Sequence, residues 1–131
     1  MSDPTPLSVI AFPDGLPGFE TCHRFVLVHP PGLGPFTIVQ HADGPLPAFV
    51  TIDPLDVHGG YRTELTDADR ARLGAAGETP LLWLAMVSTR DDGKPTVNLR
   101  APLVINPATM TGLQVISAES PYSLAHPLRA A

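Results

Sequence analysis

Sixteen prolines and eleven glycines punctuate this chain of 131 residues, and they leave space only for short secondary-structure elements. Proline removes a backbone donor and glycine favours turns, so each cluster ends whatever element precedes it. The apolar runs between clusters are rich in β-branched and aromatic residues. The spacing predicts strands near Leu7–Phe12, Arg24–Val28, Phe36–Gln40, Ala48–Ile52, Leu82–Thr89, Thr96–Ile105 and Leu113–Ser117. Turn signals such as Pro13-Asp-Gly15, Ala42-Asp-Gly-Pro45 and Asp91-Asp-Gly93 separate them. Many short strands at regular intervals read as a small β-barrel or a sandwich, mainly β in class.

One segment breaks this pattern. Thr66 is placed to cap a helix, with Asp67 and Asp69 at the positive end of the helix dipole and Gly74 as a stop. A single short helix is expected over residues 67–73, packed through Leu73 and lying across one end of the β structure. The longest apolar run, Leu81 to Val87, is far short of the ~20 residues that cross a bilayer. Pro80 before it and the Asp-Asp-Gly turn after it favour a strand buried on both faces.

The stretch Thr96–Asn106 constrains function most. Its odd positions, Val97, Leu99, Ala101, Leu103 and Ile105, form one apolar face at period two. The other face is polar except for Pro102 and Val104. Proline cannot donate to a strand ladder, so this stretch is expected at a sheet edge or a bulge, where an apolar patch needs a cover. That cover is the chain itself, its C-terminal tail, another strand or a partner.

The size suits one domain over residues 1–131, with 1–6 and 123–131 expected as flexible ends. Apolar residues make up 44% of the chain against 16% charged, which excludes disorder. The net charge of −5 disfavours phosphate binding and favours a basic protein surface as partner. The cations are dispersed and aromatics are few, so no platform for nucleic acid is expected. A lone cysteine, Cys22, excludes a disulfide framework, and the N-terminus has no signal-peptide pattern. The expected setting is the cytoplasm.

No catalytic constellation emerges. The sequence has no Gly-x-Ser-x-Gly elbow, no phosphate-binding glycine loop and no His-Glu-x-x-His pair. Cys22 and His23 are neighbours whose side chains diverge on a strand. Asp53, Asp56 and His58 share a loop, but their spacing matches no established metal site and reads as a solvated turn. Asp91 and Asp92 read as hairpin-turn residues. A binding module is therefore expected rather than an enzyme, with no cofactor. A small-molecule or metal-binding β-barrel is the remote alternative.

In chain order stand Gly15-Leu-Pro-Gly-Phe-Glu20, Arg24-Phe-Val-Leu-Val28, Phe49-Val-Thr-Ile-Asp-Pro54, Tyr61, Thr96-Val-Asn-Leu-Arg-Ala-Pro-Leu-Val-Ile-Asn106, Gly112-Leu-Gln-Val-Ile116 and Tyr122. From about Leu7 to Tyr122 this resembles the bacterial flagellar assembly factor family FliW. The resemblance implies a small antiparallel β-barrel with a short helix and no catalysis. It also implies a cytoplasmic partner switch: binding of the RNA-binding translational repressor CsrA relieves its repression of flagellin synthesis, and accumulated flagellin competes for the same adaptor. The implied contact surface is the Asn-Leu-x-Ala-Pro strand and the C-terminal region, at Asn98, Pro102, Val104 and Asn106, with Gln114 and Tyr122 nearby. In the opening motif Gly15 and Gly18 serve the turn, Phe19 anchors in the core and Glu20 is left free for an interface.

Three departures from the family pattern set further expectations. A strand usually precedes the stretch matching Val9–Phe12, and here only residues 1–7 stand in that place. Barrel closure is thus an open question, or an edge is left for dimer formation, and a monomer or weak dimer is expected. Ser117 replaces an aliphatic residue. The tail after Tyr122 is short and carries one acid upstream, Glu119, so a flagellin-binding chaperone without CsrA antagonism is the alternative.

Overall fold

The computed structural model describes residues 9–116 and 119–128. The strands are β1 (Ile10–Ala11), β2 (Arg24–Val28), β3 (Phe36–His41), β4 (Ala48–Ile52), β5 (Leu82–Thr89), β6 (Pro95–Val97), β7 (Leu103–Asn106), β8 (Thr111–Gln114) and β9 (His126–Pro127). Two short helices, α1 (Pro54–Val57) and α2 (Asp67–Leu73), lie between β4 and β5. Neighbours run in the order β4-β3-β2-β1-β8-β7-β5, and β5 returns to β4 through Thr51↔Met86 and Ile52↔Ala85. Seven strands therefore close a ring.

Closure answers the question of whether the described strands form a complete ring. The two-residue β1 pairs with β2 on one side and, through Ala11↔Thr111, lies parallel to β8 on the other. Among the described residues that is the one parallel joint of an otherwise antiparallel barrel. No whole ring edge remains open for a dimer at this place. Residues 1–8, including the expected start of the first strand at Leu7, lie outside the described residues, as do Ser117 and 129–131.

The barrel interior is filled by Ile10, Phe12, Leu16, Phe25, Val39, Leu84, Leu103 and Ile105. Phe12 and Phe25 meet edge to face with centroids 5.4 Å apart, the arrangement that aromatic quadrupoles favour. A second cluster, Ile52, Tyr61, Ala85, Val97 and Leu99, lies outside the ring wall, and a third joins Leu73 to Val104, Leu113 and Val115.

The expected single strand over 96–105 is two strands. β6 pairs with Val87–Thr89, and β7 pairs with Leu82–Leu84, so both occupy the same edge of β5. The break lies at Asn98, whose Oδ1 accepts the N–H groups of Arg100 (3.1 Å) and Ala101 (3.0 Å) and bends the chain into an Asx turn. Pro102 follows just before β7, where a missing amide costs no ladder bond. The odd-position face is thereby divided: Val97 and Leu99 serve the second cluster, while Leu103 and Ile105 enter the barrel.

Helix α2 matches its expected bounds. Thr66 Oγ1 accepts the Asp69 N–H at 3.0 Å, and Gly74 takes a left-handed conformation with φ 66°. Helix α1 was not expected from the sequence. Its four residues are too few to show a period, although Asp53 caps it through the Leu55 N–H and Pro54 pre-sets its first turn. Residues 123–128 are not a loose end: His126 and Pro127 pair with Val97 and Thr96.

Candidate partner-binding site

The Asx turn at 98–102 is held down by the C-terminal segment. Arg100 Nε donates to the Tyr122 carbonyl (3.0 Å) and its Nη2 to the Ser120 carbonyl (3.2 Å). The Leu99 N–H donates to the Ser123 carbonyl at 3.0 Å. Gln114 Nε2 donates to the Ala101 carbonyl (3.0 Å), and Val115 N–H to the Pro102 carbonyl (2.9 Å). Guanidinium bonds to carbonyls are charge-assisted, and together these contacts tie the turn to the C-terminal segment as one platform.

Aromatic packing fastens the same segment. The Tyr122 ring stacks on Tyr61 with centroids 4.5 Å apart and meets the edge of His58 at 5.5 Å. Its hydroxyl accepts the Arg62 N–H at 2.9 Å. Tyr61 donates to the Leu99 carbonyl at 2.8 Å, and burial pushes its hydroxyl above the usual phenol range, with the Thr63 hydroxyl opposing and Tyr122 adding to the shift. The Tyr61 proton therefore stays in place at neutral pH. Beside Tyr122 lies a cleft of about 380 Å³ lined by Arg62, Thr63, Glu64, Glu119, Ser120 and Pro121.

Asn98, Gln114 and Tyr122 are thus brought together around one turn. Pro102, Val104 and Asn106 are not surface residues, which corrects the expectation of an exposed apolar edge. β7 lies between β5 and β8 within the ring, and α2 covers its outer face. Val104 is 0% exposed beneath Leu73. Asn106 Nδ2 donates to the Leu73 carbonyl (2.8 Å) and its Oδ1 accepts the Ala108 N–H (3.0 Å). It satisfies a carbonyl at the helix end that has no intrahelical donor. Asn106→Ala is expected to lower unfolding stability by about 1–3 kcal/mol through the loss of both bonds, with the Thr109 hydroxyl, 2.9 Å away, left as the partner of the Leu73 carbonyl. Chemical denaturation checks it, and Asn106→Asp is expected to be no better, since a carboxylate cannot donate to the Leu73 carbonyl.

Arg100 escaped the sequence reading, which counted it among dispersed cations. The signal was its position between Asn98 and Pro102 on the polar face of a largely apolar stretch. Asp53, of the loop considered for metal, is engaged as the α1 cap, and His58 packs on Tyr122. Among the described residues no three His, Cys, Asp or Glu side chains converge. Asp92 accepts the Lys94 N–H within the β5–β6 hairpin, as expected of a turn residue. No helix among the described residues is long and apolar enough to cross a membrane.

Glu20 is exposed in the opening motif but engaged within it. Its Oε2 accepts the Gly18 N–H at 3.0 Å, and bonds from the Gly18 and Glu20 amides hold its carboxyl below the usual range. Glu20 borders a second cleft, about 210 Å³, together with Asp14, Gln114 and Ile116. Phe19, expected in the core, is 40% exposed and meets Phe49 edge to face instead.

The family model for the FliW protein matches residues 3–128. The chain belongs to the FliW family. It is 35% identical over 125 residues to the flagellar assembly factor FliW of Syntrophotalea carbinolica, covering 95% of this chain and 89% of that protein. It is 37% identical over 123 residues to the FliW protein of Anoxybacillus flavithermus, covering 93% and 84% respectively. A solved structure described as the flagellar assembly factor FliW superposes with a TM-score of 0.86 at 29% identity, over 98% of this chain and 91% of that one. The FliW fold thus extends over the described barrel, both helices and the C-terminal segment that pins the turn.

Proposed function

We infer that this FliW-family chain is a cytoplasmic, non-enzymatic flagellar assembly factor that binds CsrA and relieves its repression of flagellin synthesis. In the same reading it binds flagellin, so that the two partners switch. The observation that carries the reading is the match to flagellar assembly factors over nearly the whole chain. Supporting it is the platform at Asn98, Arg100, Gln114 and Tyr122, built from the family-like strand and the C-terminal segment. Glu64 and Glu119 are exposed at its cleft, the first paired with Arg62 at 3.6 Å. An acidic chain of net charge −5 is attracted to the basic surface an RNA-binding repressor must carry.

Titration calorimetry against CsrA of the same organism, at low and moderate salt, tests this. Saturable binding that weakens with salt is expected. Arg100→Ala, which releases the C-terminal segment from the turn, is expected to weaken CsrA binding at least tenfold. Absence of CsrA binding with flagellin binding intact would select the chaperone-only alternative. If flagellin weakens CsrA binding, CsrA must weaken flagellin binding by the same factor, because the coupling is reciprocal.

A further inference from the structure

The ring closes between β1 and β8 through a single bridge, Ala11↔Thr111. The Ala11 N–H donates to the Met110 carbonyl at 2.8 Å, which sets the even-numbered backbone groups of β8 toward β1. The odd-numbered ones face β7, as the bond from the Val115 N–H to the Pro102 carbonyl (2.9 Å) shows. The next rung toward β1 would need an N–H from residue 13, and that residue is Pro13. A turn closed by the Gly15 N–H on the Phe12 carbonyl then carries the chain away. The Gly112 carbonyl and the N–H and carbonyl of Gln114 are left with no partner among the described residues. Both residues line the cleft of about 210 Å³ beside Glu20, and Gly112 has only backbone to offer it. Oε1 of Gln114 is buried without a partner at the same interrupted joint.

We propose that this cleft is a strand-addition site, where a short extended segment of a partner protein, carrying a basic residue, continues the ladder that Pro13 breaks. Run in either direction, such a segment meets the Gly112 and Gln114 carbonyls with two N–H groups and the Gln114 N–H with a carbonyl. Unpaired ladder groups, not apolar area, therefore choose the occupant. A helix has already spent its own N–H and carbonyl groups internally and cannot supply them. A strand residue fills about 160 Å³ at the ordinary rise, strand spacing and sheet spacing, so the cleft holds about one to two residues. The rest of the segment runs over Pro17 and Ile116, both exposed. Glu20 selects the basic residue. Asp14 is paired with Arg72, whereas Glu20 is bonded only by amides and has no cation at ion-pair distance among the described residues. A second copy, of net charge −5, would bring a like charge. The inference goes beyond the CsrA reading and stands without it, since the Gln114 side chain turns to the Ala101 carbonyl while its main chain serves the cleft.

The test is amide NMR and hydrogen exchange on the full chain, with the end-blocked peptide Thr-Val-Lys-Val-Thr as probe, whose threonines and valines favour strands. In the free chain the Gln114 amide is expected to exchange faster than those of Leu113 and Val115, which face β7. The peptide is expected to shift Gly112, Gln114 and Ile116 saturably and to slow exchange at Gln114. The same peptide N-methylated throughout, which removes its donors, is expected to bind roughly tenfold more weakly. Glu20→Gln keeps an acceptor for the Gly18 N–H. It is expected to weaken the lysine peptide about threefold and to leave Thr-Val-Thr-Val-Thr unchanged. No saturable shift, shifts confined to other residues, equal binding of the methylated peptide, or equal effects of Glu20→Gln on both peptides would overturn the proposal. A Gln114 amide already protected in the free chain would overturn it as well. Protection that falls on dilution would favour a second copy, and protection that does not would favour a segment of the chain itself.

Discussion

Val104→Asp is expected to lower unfolding stability by about 3–5 kcal/mol, the cost of a buried charge without a partner. Val104 is 0% exposed among the aliphatic side chains of Leu73, Leu113 and Val115, with Trp83 across the strand. The charge would either stay desolvated or push α2 off the wall, exposing Leu73. Burial raises the folded-state pKa of such a carboxyl above its unfolded value. Protonation therefore removes the penalty: the deficit is full above the raised pKa and narrows as pH falls through it. Denaturant titrations at neutral and acidic pH measure both parts. Val104→Ala, which leaves only a cavity, is expected to show no such pH dependence. A stable Val104→Asp with α2 still docked would contradict the placement of β7 beneath α2.

Gly15→Ala is expected to be nearly as damaging, at about 3 kcal/mol, from a left-handed backbone and overpacking together. Gly15 has φ 64°, and a Cβ there would lie 2.6 Å from the Phe19 carbonyl oxygen and 2.7 Å from the Glu20 Cα. Those are backbone atoms of a tight loop and cannot swing aside as a flexible side chain would. Gly18 lies in the same motif with φ 86°, but nothing is within 4 Å of its Cβ position. Gly18→Ala should therefore cost only the conformational part, roughly 1–2 kcal/mol. The comparison separates close approach from backbone freedom. Thermal unfolding of the two variants, each adding one methyl group to the same loop, reads it directly, and equal losses would refute the packing argument at Gly15.

Much of the fold was legible because it is local. The strands at 24–28, 48–52 and 82–89 and the helix at 67–73 match their sequence expectations residue for residue. Each is bounded by a proline, glycine or capping side chain that acts within a few residues of itself. The resemblance to FliW, carried by motifs spread along the chain, pointed to the barrel that the pairings display. Helix α1 was too short for periodicity to mark, and Asn98, in the alternating part of its stretch, gave no sign that its side chain would break the strand.

The candidate site was legible only in part. Asn98, Gln114 and Tyr122 do meet at one turn, but Arg100 joins them through carbonyls of a segment 20 and 22 residues away. Period-two alternation established that Pro102 and Val104 lie on a face opposite to Leu103, and it could not say what lies on that face. The cover is Leu73, whose carbonyl is held by Asn106 33 residues further along. The sequence by itself therefore determined which segments are strands, where the helix begins and ends, and the acidity of the surface, since these follow from backbone preference, capping and charge count. Tertiary structure decided which apolar faces are core and which are surface. That depends on contacts between distant residues: it buried Val104 beneath a helix and left Phe19 and Val50 each 40% exposed.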